Sequence, residues 1–159
     1  MAIIGRGRAH GACSLLHAAG TGYGASMSLD LPLAIRLLDK PSKRQLDDGD
    51  RILSFVVQSW QKAGHELPIP EEDINWAVQS MIPIAQGLKS SSALCVAAVR
   101  ALCDATETDL ELADIVSIAV DAQLESGITL TGSVDDTWAC ATPGWKLIDA
   151  NQPDVRQGI

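Results

Sequence analysis

Positive charge is scarce in this chain of 159 residues: 12 lysines and arginines stand against 20 aspartates and glutamates, a net charge of −8. No basic stripe runs along the sequence, which argues against a nucleic-acid surface. Any site for an anionic ligand must be made locally, against the field of the whole molecule. Aromatic residues are few, with one Phe, one Tyr and four Trp, and the tryptophans are too scattered to suggest base stacking. No C-x-x-C pair occurs among Cys13, Cys95, Cys103 and Cys140, and no histidine lies at zinc-finger spacing from them. Four free thiols in a reducing cytosol are the expectation, Cys95 and Cys103 as small core residues. No apolar run approaches the ~20 residues of a membrane span, and the patch before Arg6 and Arg8 is too short for a signal peptide. What remains is a cytoplasmic globule without membrane or nucleic-acid partners. A hydrophobic content of 47% with 20% charged residues suits one folded domain.

Within that globule the pattern changes along the chain. Ala9 to Ala19, rich in small residues, predicts a helix ending at Gly20. Gly20, Gly22 and Gly24 then predict a loop. From Ala25 the residues Met27, Leu29, Leu31, Leu33, Ile35 and Leu37 alternate on one face of a predicted strand, with Pro32 marking an edge or a bulge. Asp39 to Arg44 reads as a polar turn. Asp50 to Ala63 repeats Ile52, Leu53, Val56, Val57 and Trp60 at helical spacing and closes at Gly64. An exposed connection, His65 to Asp73, leads into a strand through Ile74, Trp76 and Val78. Ala93 to Ala105 is apolar on nearly every side, the mark of a central helix. Thr108 and Glu111 form a T-x-x-E capping box that opens a helix to about Glu125, ended by Gly127. Ile128 to Thr131 extends to a turn at Gly132, and Trp145, Leu147 and Ile148 form a last strand. The order strand, helix, strand, helix, helix, strand predicts an α+β sandwich.

The segment Pro83 to Ala93 (P-I-A-Q-G-L-K-S-S-S-A) sets a glycine, a lysine and three serines before the central helix. A helix start leaves backbone N–H groups unpaired and carries roughly half a positive charge, so it attracts phosphate. Lys89 would add a full charge. The segment is not a Walker A loop, because Leu88 separates the glycine from the lysine and Ile82 holds the earlier glycine position. An ordinary cap would need only one serine. The Gly20 to Gly24 loop leaves a helix and enters a strand, the reverse of a dinucleotide fingerprint; it reads as a sharp reversal or as close backbone approach to a small ligand.

Asp135 and Asp136, bracketed by Val134, Trp138 and Ala139, are expected near the core rather than at a loop tip. Asp121 and Glu125 fall on one face of the preceding helix. Carboxylates facing a phosphate cradle suit Mg²⁺ binding and proton acceptance, as phosphoryl transfer requires. His10, His17 and His65 show no catalytic pattern; His65 is expected in solvent and His17 partly buried.

Together these segments resemble the GHMP kinase superfamily, whose second motif is P-x-x-x-G-L-x-S-S-A. Pro83 to Ala93 follows it with one extra serine. Three blocks are similar to those of archaeal-type shikimate kinases: Thr21-Gly22-Tyr23-Gly24-Ala25 with Leu29-Asp30-Leu31; Gly87 to Ala93; and Gly127 to Asp136. The resemblance implies a kinase that phosphorylates the shikimate 3-hydroxyl with ATP and Mg²⁺, on the route to chorismate and the aromatic amino acids. It implies a domain like the second domain of ribosomal protein S5 over residues 1–159, with the ferredoxin-like C-terminal domain absent. Pro83, Gly87, Leu88, Lys89, Ser90, Ser91, Ser92 and Ala93 would wrap the ATP phosphates. Ser91, Ser92 and Glu125 would contact Mg²⁺, and Lys89 and Asp135 would be catalytic. Thr21, Gly22, Tyr23, Gly24, Thr129, Thr131 and Asp135 would meet shikimate.

The chain departs from those relatives at Tyr23, where lysine or arginine is usual, at His17, where asparagine is common, and at Ser133-Val134, which replaces a small-plus-aromatic pair. It also stops before the glycine-rich third motif, so weak or no turnover is expected, and the face left open could pair two copies. The alternatives are a homoserine- or mevalonate-type kinase of the same superfamily and a non-catalytic small-molecule-binding remnant.

Overall fold

The computed structural model describes residues 2–41, 51–83, 85–130, 132–149 and 152–158. The expectations for Asp50, Ile84 and Thr131, and for the polar turn beyond position 41, lie outside these residues. An antiparallel sheet of five strands, β1 (Ile3–Leu16), β2 (Tyr23–Leu38), β3 (Asn75–Ser80), β4 (Trp145–Asp149) and β5 (Gln152–Gly158), carries the helices. These are the single turn α1 (Ala18–Thr21), α2 (Ile52–Lys62), α3 (Ser90–Thr106), α4 (Leu112–Ser126) and α5 (Val134–Ala141). The strands run in the order β1-β2-β4-β5, with β3 also against β2.

Long β2 organises the sheet. β1 pairs along one side of it; on the other, β4 pairs with Tyr23 to Met27 and β3 with Leu33 to Leu38. Pro32 lies between those two pairings, opposite His10 and beside a register shift, so the expected bulge is there. The bulge also switches faces. Leu33, Ile35 and Leu37 point into the core, but towards the hairpin the inward residues are Gly24 and Ser26, while Met27 is exposed. The single apolar face expected from Met27 to Leu37 is therefore split.

The predicted helix from Ala9 to Ala19 is instead most of β1, with only Ala18–Thr21 helical. The small residues serve a different contact. Gly5, Gly7, Ala9 and Ala12 face inward, and a Cβ on Gly5 or Gly7 would lie 2.2 or 1.8 Å from the carbonyl oxygens of Ala101 and Ala97. Glycine on the strand meets alanine on α3, so the helix backbone rests directly on the sheet. α3 is central as predicted, with Val96, Val99 and Leu102 fully buried.

α2 buries Ile52, Leu53, Val56, Val57 and Trp60 as its spacing predicts. His65 is half-buried, its ring centroid 4.5 Å from that of Trp60. The capping box does not form. Thr108 instead closes α3, its N–H donated to the Cys103 carbonyl and its hydroxyl 2.8 Å from that of Thr106, so α4 starts at Leu112. α5 and β5 go beyond the expected elements, and Asp135-Asp136 sits in the first turn of a helix rather than in a turn.

Candidate functional site

β3 ends at Ser80, whose hydroxyl accepts the Ile82 N–H at 3.0 Å, and buried Ile82 anchors the start of the loop that leads to α3. Ala85, Gly87 and Lys89 all take left-handed backbone, with φ of 57, 70 and 62°. Gln86 and Leu88 between them do not, and such alternation turns successive N–H groups towards one concavity, an anion-binding shape. Non-glycine residues enter this region at a cost of about 1–3 kcal/mol each, which the surroundings must hold in place. Here the Leu88 carbonyl accepts the Ala12 N–H at 3.1 Å, tying the loop to β1. Lys89 is then the cap of α3.

The loop borders a cleft of about 230 Å³ lined by Gly87, Leu88, Lys89, Ser90, Ser91 and Ser92, with Gln123 from α4 and Thr129 and Ser133 from the next loop. Pro83 is exposed ahead of the cleft, and Ala93 is buried beneath the helix start; neither lines it.

Gln123 was not singled out in the sequence. It is buried, accepts the Ser92 hydroxyl at 2.7 Å, and donates to Thr137 Oγ1 at 2.9 Å and the Ala119 carbonyl at 3.2 Å. Thr137 in turn donates to the Ser133 carbonyl at 2.8 Å. One signal was legible: Gln123 is the polar member of the buried stripe Ile115, Val116, Ile118, Ala119 and Ala122.

Glu125 is not brought to the loop. It and Asp121 share a face, as their spacing predicts, but that face turns to α2, where both pair with Lys62, at 3.4 and 3.5 Å. Among the described residues no carboxylate lines the cleft, and no three His, Cys, Asp or Glu side chains gather as metal ligands. Mg²⁺ is ordinarily held by one or two carboxylates plus substrate phosphates. The expected set of Ser91, Ser92 and Glu125 does not fit that requirement, because Glu125 faces away and the Ser92 hydroxyl is committed to Gln123.

The acids gather one step deeper. Asp136 Oδ2 accepts the Lys89 ammonium at 3.1 Å, while its Oδ1 accepts the hydroxyls of Ser26 and, at 3.1 Å, Ser14. The neighbouring Asp135 Oδ2 lies 2.9 Å from Ser26 Oγ. Both carboxyls are buried, whereas Lys89 is a quarter exposed and reaches the cleft. Burial first, and the charge of Asp136 second, push the Asp135 carboxyl above the ordinary aspartate range. Burial likewise raises the thiol of Cys140, whose Sγ faces the Lys89 carbonyl.

The hairpin completes the group. A Cβ on Gly24 would lie 2.8 Å from the Asp135 carboxyl carbon, so the close backbone approach here is to that acid, not to a small ligand as expected. Gly22 has φ 77°, and Thr21 Oγ1 bonds the backbone of Tyr23, whose side chain is half-exposed. His17 Nδ1 accepts the Ala19 N–H and caps the single turn α1. Thr129 and Ser133 hydroxyls lie 3.2 Å apart at the rim; Thr131 falls outside the described residues.

The cradle and the acid pair both lie within the span of a known domain. The family described as the GHMP kinases N terminal domain covers residues 52–144. The chain belongs to the GHMP kinase family. Its curated relatives include shikimate kinase of Thermococcus kodakarensis, 33% identical over 86% of this chain and 51% of the relative. Shikimate kinase of Methanothrix thermoacetophila is 32% identical over 91% and 50%. The chain thus spans about half the length of the curated relatives it matches. Among solved structures, the Methanococcus jannaschii mevalonate kinase superposes with a TM-score of 0.77 at 18% identity, covering 97% of this chain and 55% of that one. Lactococcus lactis galactokinase gives 0.76 at 15% identity, covering 96% and 46%. The likeness establishes the N-terminal domain fold of GHMP kinases, the α+β architecture expected. No helix among the described residues is long and apolar enough to cross a membrane.

Proposed function

We propose that the chain supplies the phosphate-binding and proton-accepting half of a shikimate kinase, which transfers the γ-phosphoryl group of ATP to the 3-hydroxyl of shikimate. The observation that carries this reading is the contact between Lys89, at the mouth of the cradle, and the buried Asp135-Asp136 pair. The two halves of a phosphoryl transfer are thereby adjacent: a place for transferring phosphate and a group able to take the acceptor's proton. Gly87 to Ser91 cradle the ATP phosphates through backbone N–H groups and hydroxyls, and Lys89 offsets their charge. Asp135 receives the hydroxyl proton, its raised basicity suiting a general base. Gly24 stands against Asp135 and Thr129 lines the cleft; with Gly22 and Tyr23 they would meet the acceptor. ATP supplies the phosphoryl group; no step here depends on a metal held by the protein. The metabolic role would be cytosolic.

Shikimate is favoured over homoserine or mevalonate because the curated relatives at 28–33% identity are named shikimate kinases. The mevalonate and homoserine kinases among the structural neighbours are under 20% identical and speak for the fold alone. Steady-state ADP release from ATP, measured on the whole gene product with shikimate, homoserine and mevalonate, tests the reading. Shikimate-dependent release is expected. Release with another acceptor alone would overturn the substrate, and failure to bind nucleotide would overturn the kinase itself.

A further inference from the structure

Ser26 is fully buried on β2, and its hydroxyl oxygen lies within hydrogen-bond distance of both Asp135 Oδ2 and Asp136 Oδ1. A serine hydroxyl has one proton to donate and lone pairs with which to accept. Two ionised carboxylates around it would leave one oxygen facing a lone pair in a buried site, a costly contact. Both contacts become hydrogen bonds only if one carboxyl carries a proton. Asp136 is the ionised member, because it accepts Lys89 at 3.1 Å and Ser14 at 3.1 Å as well. The proton therefore belongs to Asp135.

We propose that Ser26 is a positioning residue that binds Asp135 and Asp136 into a pair holding a single proton, in the order Asp135 carboxyl, Ser26 hydroxyl, Asp136 carboxylate, Lys89 ammonium. Against its burial and the charge of Asp136, the backbone N–H groups of Asp135 and Asp136 also bond the Asp135 carboxyl and favour its ionised form; no side chain on a packed element supplies the missing donor to Ser26 or Asp135. Lys146 on β4 gives its ammonium to the Pro143 carbonyl at 2.7 Å. Arg100 of α3 binds the carbonyls of Arg8 and Ala141. Gln123 of α4 is neutral and engaged with Ser92 and Thr137. Cys140, on α5 itself, faces the Lys89 carbonyl with its thiol protonated.

Its consequence for rate rests on the kinase reading; the proton count does not. As the acceptor oxygen bonds to phosphorus and the bond to the ADP oxygen breaks, the hydroxyl proton passes to ionised Asp135. That transfer creates the one-proton state which Ser26 stabilises. Ser26 thus makes Asp135 a stronger base while raising the pH needed to ionise it.

The test is ¹³C NMR titration of the aspartate carboxyl groups, with Ser26→Ala and Ser26→Thr beside the parent chain. In the parent, one carboxyl of the pair should hold its proton above the ordinary aspartate range. Two ordinary, independent titrations would overturn the proposal, whatever the enzyme phosphorylates and even if the variants fail to fold. In Ser26→Ala the upper titration should move to lower pH, and Ser26→Thr should restore it; an unmoved or raised titration would also overturn it. In the whole enzyme, the acid limb of kcat/KM should shift to lower pH in Ser26→Ala while the plateau falls, so that the two profiles cross. A uniform loss at every pH would reduce Ser26 to a structural role. If no acceptor is phosphorylated but the titrations behave as described, the kinase reading fails and the proton pair stands.

Discussion

Gly24 and Asp135 face one another without room for a methyl group: a Cβ on the glycine would stand 2.8 Å from the carboxyl carbon and 2.9 Å from Oδ1. The strand backbone is the wall against which the acid is set.

Gly24→Ala should therefore push Asp135 out of line. Misplacement of a reacting group by about 1 Å can cost on the order of 100-fold in rate, and overpacking costs about 1–3 kcal/mol of stability. A fall in kcat of roughly 10- to 100-fold, with nucleotide affinity within about twofold, is expected from kinetics and calorimetric titration. An unchanged kcat would show that the hairpin does not set the acid.

Lys89→Met should remove both the cradle's cation and the partner of buried Asp136. Nucleotide binding should weaken at least about tenfold, and stability should drop by about 1–3 kcal/mol, below the figure for a fully buried pair because Lys89 is partly exposed. Adding Asp136→Asn should recover most of the stability and none of the binding. Chemical denaturation and calorimetric titration separate the two effects.

Asp135→Asn should be more stable than the parent at neutral pH, with the advantage closing in acid. The folded carboxyl lies above its ordinary value of 3.8. Between that value and the folded one, the folded state binds more protons than the unfolded, so the parent loses stability as pH rises. Thermal melts across pH 4 to about 8 would read this as a Tm gap that widens upward. A gap that narrows upward would contradict the burial of this acid.

Gly7→Ala would place a methyl 1.8 Å from the Ala97 carbonyl oxygen, which is backbone and cannot turn aside. A loss of about 3 kcal/mol or more is expected. Gly20→Ala meets nothing within 4 Å and should lie within about ±0.5 kcal/mol of the parent. Urea titration of the two variants compares them directly.

Elements with strong periodicity were legible from the chain. α2 announced itself through Ile52 to Trp60, and α3 through a stretch apolar on nearly every side behind three serines. β1 was not legible, because its inward residues are glycine and alanine, chosen for the approach of α3 rather than for strand propensity, and their smallness imitates a helix. The face switch in β2 was equally hidden: Met27 to Leu37 read as one apolar face, and nothing in that pattern showed that Ser26 turns inward to Asp135 and Asp136. Glu125 shows the converse error, since the right helix face said nothing about which neighbour it meets, and Lys62 of α2 is that neighbour. The cradle was readable because its residues are contiguous. The acid pair's serine partners, Ser14 and Ser26, lie far away in sequence.

That distance fixes when the site can exist. Ser14 bonds Asp136 across 122 positions, and the Arg6 N–H bonds Asp104 across 98. As the chain leaves the ribosome, the β1–β2 hairpin emerges ahead of α3 and α5, with the glycine seat for α3 bare and Ser26 without its acids. Neither β1 nor β2 can be covered until α3 and α5 follow, and such remote closure makes for slow, late assembly. A nascent chain stalled before Asp136 would hold the cradle residues yet lack the acid pair, and its uncovered hairpin would be a natural client for a holding chaperone.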